Sequence, residues 1–212
     1  MYVCVVYYSK SGKTEKVAKY VAERISSLGF NVSTFFIRPS KDYFDRFLHL
    51  NPRVIYEILS GRTVEIVGDE GFDSATCGAL VIATPVWYGT ATPPILSFLS
   101  KYSGRCSSPV YVLTTSDLRV DYASKLKELA ERKGFNVRGY LSVVSLESDL
   151  ERVNDFVDRV AADLRGTSLG FSYPRYLRRL PIVTALRRSP RPQHCPRPPG
   201  GSQIVACRCY RP

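Results

Sequence analysis

The stretch best equipped for chemistry is Ser9-Lys10-Ser11-Gly12-Lys13-Thr14, which carries three hydroxyls, a glycine and two lysines in six residues. It follows the strand-like run Tyr2–Tyr8 and leads into a helical pattern, so these groups meet at a helix N-terminus. Unpaired backbone N–H groups and the positive end of the helix dipole converge there, which suits a phosphate. A plain helix cap needs one hydroxyl. Gly12-Lys13-Thr14 is also the ending of a Walker-type nucleotide loop, but that loop needs glycine five residues before Gly12, where this chain has Tyr7. A phosphatase loop fails as well. Cys4 has Lys10 where an arginine is required, and it lies mid-strand.

A second chemical stretch is Thr84-Pro85-Val86-Trp87-Tyr88-Gly89-Thr90, followed by Pro93-Pro94. It sets the only Trp beside a Tyr in a Pro- and Gly-bounded loop, and aromatic faces there can stack on a planar ligand. The competing reading is Trp87 as core beneath the loop. No Ser-His-Asp or Cys-His set accompanies these loops, since the two histidines are His49 and His194. A catalytic side chain is therefore not expected.

Five apolar runs must position these loops: Tyr2–Tyr8, Val32–Ile37, Ala79–Ala83, Val110–Thr114 and Tyr140–Val144. They are nearly continuous rather than alternating, as strands covered on both faces are. Six helical segments fall among and after them. Val17, Val21, Ile25 and Leu28 form the clearest apolar stripe, with Gly29 as its C-terminal stop. Two short helices broken at Pro52 are expected in 40–61, with a short extra strand at Thr63–Val67. Pro93–Tyr102, Tyr122–Lys133 and Asp149–Leu164 complete the set, the last with Ser148 and Glu151 in capping-box spacing. Strand and helix alternating in this way argue for an α/β doubly wound domain over residues 1–166. Ligands in such sheets bind where neighbouring crossovers part, which points to the loops after the first, third and fourth strands.

With both loops in order, residues 1–166 resemble the flavodoxin family. Val5-Val6-Tyr7-Tyr8-Ser9-Lys10-Ser11-Gly12-Lys13-Thr14-Glu15 looks like its FMN-phosphate signature, and Pro85-Val86-Trp87-Tyr88-Gly89-Thr90 looks like its second FMN loop. The resemblance implies a five-stranded parallel sheet of order 2-1-3-4-5 with helices on both faces. FMN would lie at its carboxyl edge, with phosphate at Ser9, Ser11 and Thr14 beside Lys10, Gly12 and Lys13. The isoalloxazine would lie against Trp87 or Tyr88, flanked by Pro85, Val86 and Gly89. The third family loop corresponds to Thr114-Thr115-Ser116-Asp117-Leu118, which lacks the stacking aromatic of many flavodoxins unless Tyr122 folds back. It implies electron transfer with a redox partner protein, or NAD(P)H-dependent reduction of a small acceptor such as a quinone. An FMN-free interaction module of the same fold is the alternative, and a nucleotide-binding protein of Walker type stands behind it.

Charge and cysteine usage divide the chain at the same place. The formal charge is +11, but nine of the 30 basic residues fall in 167–212 with no acidic residue, so residues 1–166 set 21 basic against 19 acidic groups. That near-neutral body argues against nucleic acid as its partner and leaves such a partner to the Arg- and Pro-rich tail, which reads as disordered or loosely docked. It also differs from the markedly acidic electron-carrier flavodoxins. The tail's His194, Cys195, Cys207 and Cys209 lack a metal-site spacing. No apolar stretch approaches a membrane span and no secretory signal opens the chain, so a cytoplasmic location is expected, with Cys4, Cys77 and Cys106 reduced. Oligomeric state leaves no trace in the sequence.

Overall fold

The computed structural model describes residues 2–43 and 51–166. Five parallel strands, β1 (Tyr2–Tyr7), β2 (Asn31–Phe36), β5 (Cys77–Trp87), β7 (Pro109–Thr115) and β8 (Asn136–Val143), pair in the order β2-β1-β5-β7-β8. With the short strands set aside this is the order 2-1-3-4-5. The near-continuous apolar character of the runs follows from burial on both faces. Val3, Val5 and Tyr7 of β1 face α1 (Lys13–Ser27) and α5 (Leu150–Leu164). Cys4 and Val6, with Tyr8 just beyond the strand, join the cluster made with α2 (Pro52–Ser60), α3 (Pro93–Lys101) and α4 (Ala123–Arg132).

Helix α1 forms because its stripe has somewhere to go. Val17, Val21 and Ile25 are fully buried, each worth about 1.5–3 kcal/mol of transfer from water. Gly29 stops it at φ 91°, its amide returning to the Ser26 carbonyl at 2.9 Å. Helix α2 starts at Pro52, where Asn51 Oδ1 accepts from the Arg53 amide at 3.0 Å. The first of the two expected short helices falls largely on 44–50, outside the described residues, as does the whole tail from 167. The expected extra strand is β4 (Ile66–Val67), which pairs antiparallel with β3 (Arg38–Pro39).

Three expectations need correction. Cys4 and Cys77 are joined in a disulfide with Cα atoms 5.7 Å apart, and only Cys106 of the three body cysteines is a free thiol. Seventy-three residues separate the pair in sequence, but Cys77 opens β5 directly beside β1. The capping box at the start of α5 does not form. Ser148 turns to Ser145 at 3.1 Å, and Asp149 is the N-cap residue without a side-chain cap bond. The third strand does not end at Ala83 either: β5 runs on to Trp87 and turns back into β6 (Thr90–Ala91).

Among the described residues no helix is long and apolar enough to cross a membrane, and no group of His, Cys, Asp and Glu could hold a metal ion.

Candidate functional site

The carboxyl ends of β1, β5 and β7 bring three loops together. Ser9–Gly12 leaves β1 and enters α1 through Gly12, whose φ of 80° is left-handed and whose carbonyl accepts the first helical bond from Lys16 at 2.9 Å. The amides of Ser11, Gly12, Lys13 and Thr14 donate to no described residue. Ser9 Oγ is buried without a hydrogen-bond partner among the described residues, while Ser11 is exposed beside it. A buried hydroxyl left unpaired costs about 1–3 kcal/mol. The loop thus presents uncommitted donors at the positive end of a 15-residue helix.

The lysines of this loop are tied outwards. Lys10 donates to Asp42 Oδ2 at 2.8 Å and to the Tyr43 carbonyl at 2.7 Å. Burial acts to raise the Asp42 carboxyl, but the Lys10 ammonium and the Tyr43 amide outweigh it and hold it below the usual range. Lys13 pairs with Asp117, and Thr14 Oγ1 lies 2.6 Å from Thr115 Oγ1 in a buried hydroxyl pair. The first and third loops are therefore stitched together at both positions.

The second loop is a tight hairpin. Trp87 pairs with Thr90 across Tyr88 and Gly89, whose φ values of 51° and 77° are both positive, as a type I′ turn requires. Its base is fixed by Thr84 Oγ1, 2.9 Å from Thr92 Oγ1. The turn splits the aromatic pair. Trp87 is 9% exposed and packs edge-on to Tyr8 and Tyr43 at centroid distances of 5.5 and 5.4 Å. Tyr88 is 51% exposed at the tip. Pro85 and Val86 are half-buried along the strand leading to it.

On the third loop, Thr115 is buried, Ser116 donates to the Leu118 carbonyl at 2.6 Å and Asp117 is exposed. Tyr122, at the start of α4, does fold back: its Cε1 lies 3.9 Å from where a Cβ on Gly89 would stand. It thus stands beside the tip that carries Tyr88.

This fold has solved counterparts. A flavoprotein from Lactobacillus acidophilus NCFM in complex with FMN superposes with a TM-score of 0.56 at 23% identity, covering 71% of this chain and 96% of that one. The apo-form of that flavoprotein gives 0.52 at 22% identity over 72% and 97%. A Streptococcus pneumonia TIGR4 flavodoxin gives 0.51 at 16% identity, over 77% of this chain and 99% of its own. The chain has the flavodoxin-like fold. No protein-family model matches the sequence, and no curated protein matches it.

In this flavodoxin-like domain the fourteen candidate site residues divide by role in the geometry. Lys13 and Thr14 meet Asp117 and Thr115 directly, Ser9, Ser11 and Gly12 share the loop with them, Ser116 stays on the third loop, and Tyr88 and Gly89 stand at the hairpin tip beyond Pro85 and Val86. Lys10 faces Asp42 and Trp87 faces the core. Tyr43 was not singled out by sequence. It holds Lys10 through its carbonyl and backs Trp87 with its ring, yet it sits in an irregular stretch without periodicity to mark it.

Proposed function

We propose that this protein is an FMN-binding flavoprotein whose phosphate grip is the loop Ser9–Thr14. The observation that carries the reading is the buried, unpartnered Ser9 hydroxyl beside the uncommitted amides of Ser11–Thr14. Phosphate oxygens supply the acceptors that this set lacks, at the terminus where the helix dipole favours negative charge. The flavoprotein structure solved in complex with FMN supports the choice of ligand. FMN, when bound, supplies the capacity to take up and release electrons.

The chain's own residues then bind, orient and shield. Ser9 and Ser11 would donate hydroxyl hydrogen bonds to the phosphate, with the amides of Gly12, Lys13 and Thr14. Thr14 shares its hydroxyl with Thr115, so it has a proton for the phosphate only when Thr115 donates to it. Lys10 and Lys13 are neutralised by Asp42 and Asp117 and add little net attraction. Tyr88 would offer its ring face to the isoalloxazine, Trp87 supports that hairpin from the core, and Thr115, Ser116 and Asp117 belong to the third loop that would flank the flavin.

Reduction of a small acceptor such as a quinone, with NAD(P)H as donor, suits this chain better than docking to a basic electron-transfer protein. The supporting observation is the near-neutral balance of residues 1–166. Two measurements test the reading. Protein reconstituted with FMN takes on visible flavin absorption, and the S9A/S11A variant weakens FMN by about tenfold or more. Anaerobic stopped-flow mixing with NADPH or NADH bleaches that absorption. Failure with both donors returns the protein to the class of carriers, and protein that stays colourless after reconstitution ends the flavin reading.

A further inference from the structure

A groove of about 320 Å³ lies between α2, the segment after β3 and residues 62–65. Its charges are arranged in two tiers. At the base, Glu57 is buried and accepts from the Tyr43 hydroxyl and from Arg53 Nε, each at 2.7 Å, so its charge is consumed within the protein. Burial and that carboxylate push the Tyr43 hydroxyl well above its ordinary range, which keeps it a neutral donor.

Towards the opening, Lys41 and Arg62 form no ion pair with a described residue. The Arg62 guanidinium stands 5.7 Å from the centroid of the Tyr56 ring, which is 54% exposed. Glu65 also lines the groove and accepts from Ser40 Oγ at 2.9 Å, leaving its other carboxylate oxygen for a hydroxyl donor. Two cations with no carboxylate partner among the described residues suit phosphate. An exposed aromatic ring with a guanidinium over it suits a purine, and a carboxylate suits a ribose hydroxyl.

The buried Tyr43 ring stands between the groove's Arg53 and Trp87 of the second flavin loop. Arg53 lies 5.3 Å over the Tyr43 ring from the groove side. From the other side, the Tyr43 carbonyl holds Lys10 and its ring meets Trp87. One buried side chain thus links Arg53 of the groove to both flavin loops.

We infer that this groove receives the adenosine-phosphate end of a nicotinamide dinucleotide, the electron donor of the reading above, on which this inference rests for its purpose. The redox step balances with those two partners and water. The dihydronicotinamide loses a hydride and becomes the oxidised pyridinium, while the flavin gains that hydride and one proton from solvent. Lys41 and Arg62 hold phosphate, and Tyr56 stacks on the adenine.

The test is calorimetric titration of the full chain with 2′,5′-ADP and with 5′-AMP, before and after FMN reconstitution, with FMN affinity measured in parallel. Wild-type protein is expected to bind one or both fragments in either state. The fragment preferred identifies NADPH or NADH as the source. K41A/R62A is expected to weaken that binding by about tenfold or more with FMN affinity unchanged, and R24A on α1 to leave it as it was. Protein that binds FMN but neither fragment overturns the groove assignment and leaves the flavin reading standing. So does K41A/R62A protein that binds the fragments as tightly as wild type. Fragment binding that is lost in K41A/R62A, in protein that never takes up FMN, supports the groove and overturns the flavin reading instead.

Discussion

Tyr88 holds a backbone conformation that L-residues avoid, at φ 51°, in a turn where glycine or asparagine is usual. Left-handed backbone costs a residue with a Cβ about 1–2 kcal/mol, so an aromatic there carries a local backbone penalty. Y88G is expected to relieve that backbone penalty and to weaken FMN by about tenfold through loss of one stacking face, as read by flavin titration. Gly12 gives the opposite sign. A Cβ at Gly12 meets nothing within 4 Å, so the cost of G12A is backbone strain alone at φ 80°, about 1–2 kcal/mol of stability. At this scale the first loop was legible because hydroxyls, glycine and a helix start coincide in sequence. The division of labour between Trp87 and Tyr88 was not, since neighbours in sequence point to opposite sides of a strand and the turn decides which is buried.

Among the elements, α5 is anchored in a way that its sequence hid. Ser148 and Glu151 have capping-box spacing, yet the side chain of Asp149, fully buried, takes the anchoring role by accepting from the Val144 amide at 2.8 Å and from Arg152 at 2.7 Å. A spacing rule sees the helix start but not the strand end beside it. Burial alone would raise the Asp149 carboxyl, but the Val144 amide and Arg152 outweigh burial and lower it below its ordinary 3.8. A depressed carboxyl contributes stability that is present above pH 3.8 and is lost as pH falls through the lower folded value. D149A is expected to cost about 2–3 kcal/mol at neutral pH by leaving a buried amide unpaired. Its denaturation midpoint is also expected to fall less than that of wild type on acidification. The five main strands were readable, because burial on both faces leaves a continuous apolar run. The extension of β5 through Pro85 to Trp87 was obscured, because proline inside a run reads as its end.

Across the whole molecule, the Cys4–Cys77 bond closes a loop of 73 residues between adjacent strands. Cross-linking a loop of that length restricts the unfolded chain by about 4 kcal/mol at most. Reductant, or C77S, is therefore expected to lower the thermal midpoint, while FMN affinity at a temperature where the fold is intact stays unchanged. Sequence could not reveal the pairing, since adjacency here is a product of strand order. The doubly wound architecture was legible from the alternation of strand and helix, and it brought loops 9–14, 85–89 and 115–117 to one edge of the sheet. What holds those loops together, Lys13 on Asp117 and Thr14 on Thr115, spans about half the chain and left no local mark. The central claim, that this edge grips a flavin by its phosphate, is tested most directly by comparing the affinities of FMN and riboflavin, which share the ring and differ in that phosphate. Quenching of flavin fluorescence is expected to give FMN the tighter binding by about a hundredfold or more, from two or more charge-assisted hydrogen bonds. Equal affinities for the two, or no quenching by either, would contradict it.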